Sequence, residues 1–98
     1  MEIVLKKSSK AEKKFQVTID GKKTVHFGAK GMSDFTISKD PEKKSRYIAR
    51  HKARENWTKS GIKTAGFWSK HLLWNQPSLS LSIGDVSKKF NISIKYQR

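Results

Sequence analysis

Ninety-eight residues carry 22 Lys and Arg against 8 Asp and Glu, a net charge of +14, with 35% hydrophobic residues, 10% aromatic residues and no cysteine. That apolar share is enough for one small core, and the missing cysteines exclude disulfide frameworks, thiolate metal sites and cysteine nucleophiles. No apolar run reaches the roughly 18 residues of a membrane span and Met1 to Lys7 lacks the order of a secretory signal, so the expectation is a soluble, intracellular single domain.

The chain opens on a strand at Glu2 to Leu5, where Ile3 and Leu5 alternate with their neighbours, and continues into Lys6-Lys7-Ser8-Ser9-Lys10, the start of a lysine-rich loop or arm over 6–14. Phe15, Val17 and Ile19 then repeat with period two, Asp20-Gly21 supplies a turn that tolerates positive φ, and Val25 and Phe27 resume the alternation. That pattern predicts a β-hairpin ending near Gly28 and Gly31.

At Asp40-Pro41-Glu42 the period changes. Asp40 can cap free N–H groups, Pro41 suits the first helical position and Glu42 complements the positive helix end, which predicts a helix from about Pro41 to Trp57. Arg46, Arg50 and Arg54, four residues apart, share one face of it with Lys43. Thr64 to Trp74 reads as a second, shorter helix, with Phe67, His71 and Trp74 on one stripe and Trp68 and Leu72 on another. Leu79, Leu81 and Ile83 alternate with serines, Asp85 to Phe90 reads as one or two helical turns, and Ile92, Ile94 and Tyr96 make a last strand. The expected fold class is therefore α+β: residues 1–98 as one basic domain with an N-terminal β-hairpin, two central helices and a C-terminal strand. Ser82 to Ser93 has the rhythm of the first helix and turn of a helix-turn-helix unit, but no recognition helix follows, and the match is read as coincidence.

Catalytic and metal chemistry finds little to work with. His26, His51 and His71 are far apart, and His51 with Glu55, one turn on, makes only two ligands, so no metal and no cofactor is expected. The eight acids are scattered, and Asp40 and Glu42 are better explained by helix capping than by a nuclease site. No Gly-x-Ser-x-Gly elbow or phosphate-binding glycine loop occurs, so no catalytic residue, no small-molecule substrate and no enzyme activity is predicted.

Polyanion binding has more to draw on. A fold holding +14 repels itself, and a bound polyanion reverses that repulsion. Three groups of cations are the candidate contacts. They are the helical stripe Lys43, Arg46, Arg50 and Arg54; the cluster Lys6, Lys7, Lys10, Lys13 and Lys14; and Lys59, Lys63 and Lys70 after the basic helix. Lysine predominates, and its mobile point charge suits phosphate attraction rather than base reading, so little sequence preference is expected. Trp57, Phe67, Trp68 and Trp74 are assigned to the core or to a subunit interface before stacking on bases, because so small a chain needs its large aromatics for packing.

At Val25-His26-Phe27-Gly28-Ala29-Lys30-Gly31, Tyr47-Ile48-Ala49-Arg50-His51, Asn56-Trp57-Thr58-Lys59-Ser60-Gly61-Ile62-Lys63 and Ala65-Gly66-Phe67-Trp68 the sequence resembles a family of small basic proteins encoded by giant nucleocytoplasmic DNA viruses. The resemblance runs from about Lys14 to Phe90, and the Trp57 to Trp74 block is its most distinctive part. Some family members resemble abundant components packaged inside marseillevirus-type particles, and the family supplies no established catalytic residues. The resemblance implies a virion protein, present in the cytoplasmic virus factory or the host nucleus during infection. Joined to the charge, it implies a homodimeric core component that condenses viral DNA; the alternatives are a capsid scaffold docking acidic partners and, further off, a small metal-dependent nuclease.

Overall fold

Four strands, Glu2–Lys7 (β1), Lys13–Ile19 (β2), Lys23–Ala29 (β3) and Ser93–Gln97 (β4), lie in the order β3-β2-β1-β4 in the computed structural model, which describes residues 1–97. The β1–β2 and β2–β3 pairs are antiparallel, and β4 pairs parallel to β1 with Ile3 opposite Ile94. Asp20 and Gly21 take φ of 51° and 68° in the β2–β3 turn, as a tight hairpin connection requires. The register puts Ile3, Leu5, Val17, Ile19, Val25 and Phe27 on one sheet face, and all six are buried.

Four α-helices among the described residues accompany the sheet. They are Phe35–Ser38 (α1), Pro41–His51 (α2), Ala65–Trp68 (α3) and Leu79–Phe90 (α4), and α3 runs directly into a π-helical turn at Ser69–Leu73. Phe67, Trp68, Leu72, Leu73 and Val86 join the six sheet residues in one apolar cluster. The fold is α+β: α3, the π-helical turn and α4 cover one face of a mixed sheet, and α1 and α2 add no residue to that cluster. No helix among the described residues is long and apolar enough to cross a membrane.

Four expectations change. The lysine-rich segment 6–14 is not a loose arm: Lys6–Lys7 end β1, Lys13–Lys14 begin β2, and Ser8 to Glu12 form the turn between them. The Ser9 N–H donates to Gln16 Oε1, and Ser8 Oγ hydrogen-bonds His26 Nδ1, which fastens that turn to the sheet. The helix from Pro41 stops at His51 rather than near Trp57. The Arg54 N–H bonds the His51 carbonyl at 3.0 Å, three residues back, and closes the helix in a turn; beyond it Asn56 Oδ1 accepts from both the N–H and the hydroxyl of Thr58 while Asn56 Nδ2 donates to Ser60 Oγ.

The Thr64 to Trp74 helix is present but not uniformly α. Thr64 caps its start, and the Trp74 N–H reaches back to the Ser69 carbonyl at 3.1 Å, a bond five residues long. Leu79 to Phe90 is one helix instead of alternation followed by short turns. Ser78 Oγ accepts from the Leu81 N–H, and Leu79, Ile83, Val86 and Phe90 then fall on the side facing the core. Asn91, in the left-handed region at φ 53°, ends it and releases the chain into β4.

Candidate functional site

The helical start predicted at Asp40 forms as expected: Asp40 Oδ1 accepts from the Glu42 N–H at 3.0 Å and Pro41 occupies the first turn. The α2 helix then exposes Lys43, Arg46 and Arg50, while Arg54, past the helix end, is exposed on the following turn. Tyr47, one turn from Lys43 and flanking that stripe, is buried between His51 and Trp74, with ring centroids 4.3 Å and 4.6 Å away. The stripe is thus shorter than expected. Arg46 spends part of its charge on Glu42 at 3.4 Å, an exposed pair of small energetic weight.

Two adjoining clefts bring cations from separate segments together. One, of about 350 Å³, opens between the hairpin end, the β3–α1 loop and α2, and is lined by Lys13, Asp34, Tyr47, Arg50, Glu55 and Trp74 among others. The other, of about 390 Å³, lies across Lys13, Lys14 and Asp34, which line both, and adds Lys7, Lys30, Thr36 and Ile37. Asp34 is the carboxylate the two share. It accepts from Lys14 Nζ at 2.5 Å and from the Thr36 N–H at 2.9 Å, so its charge is neutralised. What remains around the clefts outside that pair is Lys7, Lys13, Lys30 and Arg50, with the half-buried Glu55 carboxylate as the one further acid, at the first cleft.

The other predicted contacts divide by environment. Lys6 and Lys10 are exposed at the β1 end and its turn, and Lys59 and Lys63 are exposed on the α2–α3 connection, lining neither cleft. Lys14, with a side chain only 13% exposed, is held by Asp34 at the base of both clefts. Lys70 is half-buried with its Nζ 5.5 Å from the Trp57 ring centroid, and burial first, then Lys89 and Lys44, lower its pKa, with Asp85 opposing. Lys30 is the cleft residue that the sequence reading passed over, because it sits in what reads only as the strand terminus Gly28 to Gly31. Its N–H donates to the Glu12 carbonyl at 2.9 Å, which binds it to the β1–β2 turn.

Among the aromatics, Phe67 and Trp68 are fully buried, and Trp68 Nε1 donates to the Ile62 carbonyl at 2.7 Å. These are core residues. Trp74 lies parallel to Tyr47 within 7°, and Trp57 carries Lys70 over its ring, so each has a face occupied from within the chain. Burial, then the Glu55 carboxylate, push the Tyr47 phenol above its ordinary pKa, with Arg50 pulling the other way. His71 is buried beside Phe67 and Phe90, and its Nε2 donates to the Trp57 carbonyl at 2.8 Å. Burial, the largest cause, holds its pKa down to about 4.

The carboxylates are mostly given to structure. Asp20 accepts from the Glu2 N–H, Asp85 accepts from Asn75 Nδ2, and Asp34 and Asp40 are bound as described. Glu55 Oε2 sits 3.4 Å from His51 Nδ1, within ion-pair reach but outside hydrogen-bond geometry. Among the described residues no three His, Asp or Glu side chains converge as a metal site would require. Only Lys14 and Arg46 among the described Lys and Arg side chains pair with a carboxylate, so the cationic charge of this fold faces outward nearly uncompensated.

No curated protein and no solved structure matches the chain. Residues 3–51, which span β1 to the end of α2 and carry Lys7, Lys13, Lys30 and Arg50, match the family of unknown function DUF5754. With half of its length matched, the chain belongs to that family.

Proposed function

We propose that this protein binds DNA along the sugar-phosphate backbone without reading sequence, and that it acts inside the particle of a giant DNA virus as a component that condenses the genome. One observation carries the reading: Lys7, Lys13, Lys30 and Arg50, contributed by β1, β2, the β3–α1 loop and α2, surround two adjoining clefts whose shared carboxylate is already neutralised by Lys14. Folding gathers like charges there without pairing them. Such an arrangement costs free energy in the isolated protein and is repaid when phosphates displace counterions. Lys43 and Arg46 on α2 extend the cationic surface from Arg50. The predominance of lysine agrees with contacts that position a backbone and discriminate little among bases. A homodimer would present two such surfaces and bridge separate duplexes.

The deciding measurement is the affinity for random-sequence duplex DNA over a salt series. If about six phosphates are neutralised, log K falls with log salt at a slope near −5, alike on unrelated sequences. Absence of binding at low salt, or a slope near zero, would refute the reading.

A further inference from the structure

Met32 and Ile37 are 65% and 62% exposed, more than the other large hydrophobic side chains open to solvent among the described residues, Met1 and Leu81. Single exposed apolar side chains are ordinary. These two, however, stand at the basic clefts: Met32 lines the one that holds Lys13 and Arg50, and Ile37 lines the one that holds Lys7 and Lys30. The apolar core is complete without either.

The segment that presents them is braced at every step. The Lys30 N–H donates to the Glu12 carbonyl at 2.9 Å, the Met32 N–H closes a turn onto the Ala29 carbonyl at 3.2 Å, and Gly31 takes φ 88°, which a side chain would resist. Behind Met32, Asp34 is pinned by Lys14 and caps α1, where the Ile37 N–H donates to the Asp34 carbonyl at 3.1 Å. Lys39 Nζ then reaches the Pro77 carbonyl at 3.1 Å and ties the far end of the segment to the start of α4. Two flexible-looking apolar residues are therefore held on a rigid mount among cations.

We infer that Met32 and Ile37, one at each cleft, are wedges that enter between base steps of duplex DNA and kink it, while Lys7, Lys13, Lys30 and Arg50 hold the phosphates on either side. The inference rests on the DNA-binding reading above and adds deformation of the duplex to it. Proteins that bend DNA from the minor groove insert Met, Ile, Leu or Phe in this way, and the cost of unstacking is offset by the phosphate contacts that the bent duplex brings within reach. A wedge needs one or two projecting side chains on a rigid support. A membrane surface would instead call for a broad apolar face on an amphipathic helix, and the four-residue α1 exposes only Ile37, with Phe35 lying under Lys44.

The test separates bending from binding. Ligase-driven circularisation of a duplex of about 100 bp, shorter than the persistence length of about 150 bp, is measured with the wild type, with Met32→Gln, and with Met32→Ala combined with Ile37→Ala. The wild type is expected to raise the yield of circles by about tenfold or more, the double variant to leave it near the protein-free level, and M32Q to fall between them. Affinity for the linear duplex should drop by less than about fivefold in the variants, with the salt slope unchanged, since phosphate contacts are kept. Full circularisation by the double variant, or binding by the wild type without any bending, overturns the wedge while the DNA-binding reading stands. Failure of the wild type to bind duplex DNA overturns both. Phosphatidylserine vesicles that cosediment with the wild type but not the double variant, with bending equal in the two, would assign the pair to a membrane and overturn the wedge as well.

Discussion

Lys14 Nζ lies 2.5 Å from the Asp34 carboxylate, twenty residues along the chain, in a contact where the two side chains are only 13% and 3% exposed. This one pair joins the hairpin to the β3–α1 loop and forms the floor common to both basic clefts. Removing either charge strands the other in a desolvated place. Asp34→Asn and Lys14→Gln are each expected to destabilise the fold by roughly 3 kcal/mol, and the paired change Lys14→Gln with Asp34→Asn, which removes both charges and keeps an acceptor for the Thr36 N–H, by much less. Urea denaturation of the three variants measures this; equal losses in all three would mean the charges themselves matter little.

The free cations should behave in the opposite way. Changing Lys7, Lys13, Lys30 or Arg50 to Gln leaves the unfolding midpoint nearly unchanged, because none pairs with a carboxylate among the described residues. Each change should lower affinity for DNA alike on all sequences and reduce the salt slope by about one. A Gln variant that binds one sequence normally and another poorly would place base reading at that residue.

His71 links stability to pH. Its folded pKa, about 4, lies below the ordinary histidine value of 6.5, so between those limits the unfolded chain holds a proton that the folded chain refuses. Its contribution is therefore fully present above pH 6.5 and is lost as pH falls toward 4, at about 1.4 kcal/mol per pH unit. Thermal melting across that range should show a steady decline on acidification. His71→Gln, which can keep a donor to the Trp57 carbonyl, should flatten the profile, and an identical slope in that variant would move the titration to another group.

Two glycines give contrasting outcomes when replaced by alanine. A Cβ at Gly61 would land on the backbone carbonyl oxygen of Asn56, so Gly61→Ala must displace the turn after α2, at a cost of about 2 kcal/mol. Gly84 lies inside α4 with nothing near the added methyl group, and Gly84→Ala should stabilise the protein by about 1 kcal/mol. Denaturation midpoints moving in the same direction for both would contradict the packing described around Gly61.

Local chemistry made the β2–β3 hairpin and the start of α2 legible in the sequence, because Asp20-Gly21 and Asp40-Pro41-Glu42 carry their signals within three residues. The end of α2 was hidden, since no Gly or Pro stands between Lys52 and Arg54, where the Arg54 N–H bonds the His51 carbonyl and closes the helix in a turn. Residues Leu79 to Ile83 follow a two-residue period in the sequence yet form a helix. The Ser78 cap and the burial of Val86 and Phe90 decide in favour of the longer period. At the clefts, Lys14 and Lys13 are indistinguishable as letters. Only the arrival of Asp34 from another segment separates the structural cation from the free one, and the same loop brings Lys30 into the group.

The pairing of β4 beside β1 has a consequence for how the protein is made. Because Ile3 meets Ile94, the sheet cannot be completed until the chain has been translated through β4, and until then β1 leaves one flank of backbone amides and carbonyls without partners. During synthesis that flank is open to self-association, and the like charges of the lysines in β1 and β2 oppose the approach of a second copy until β4 arrives.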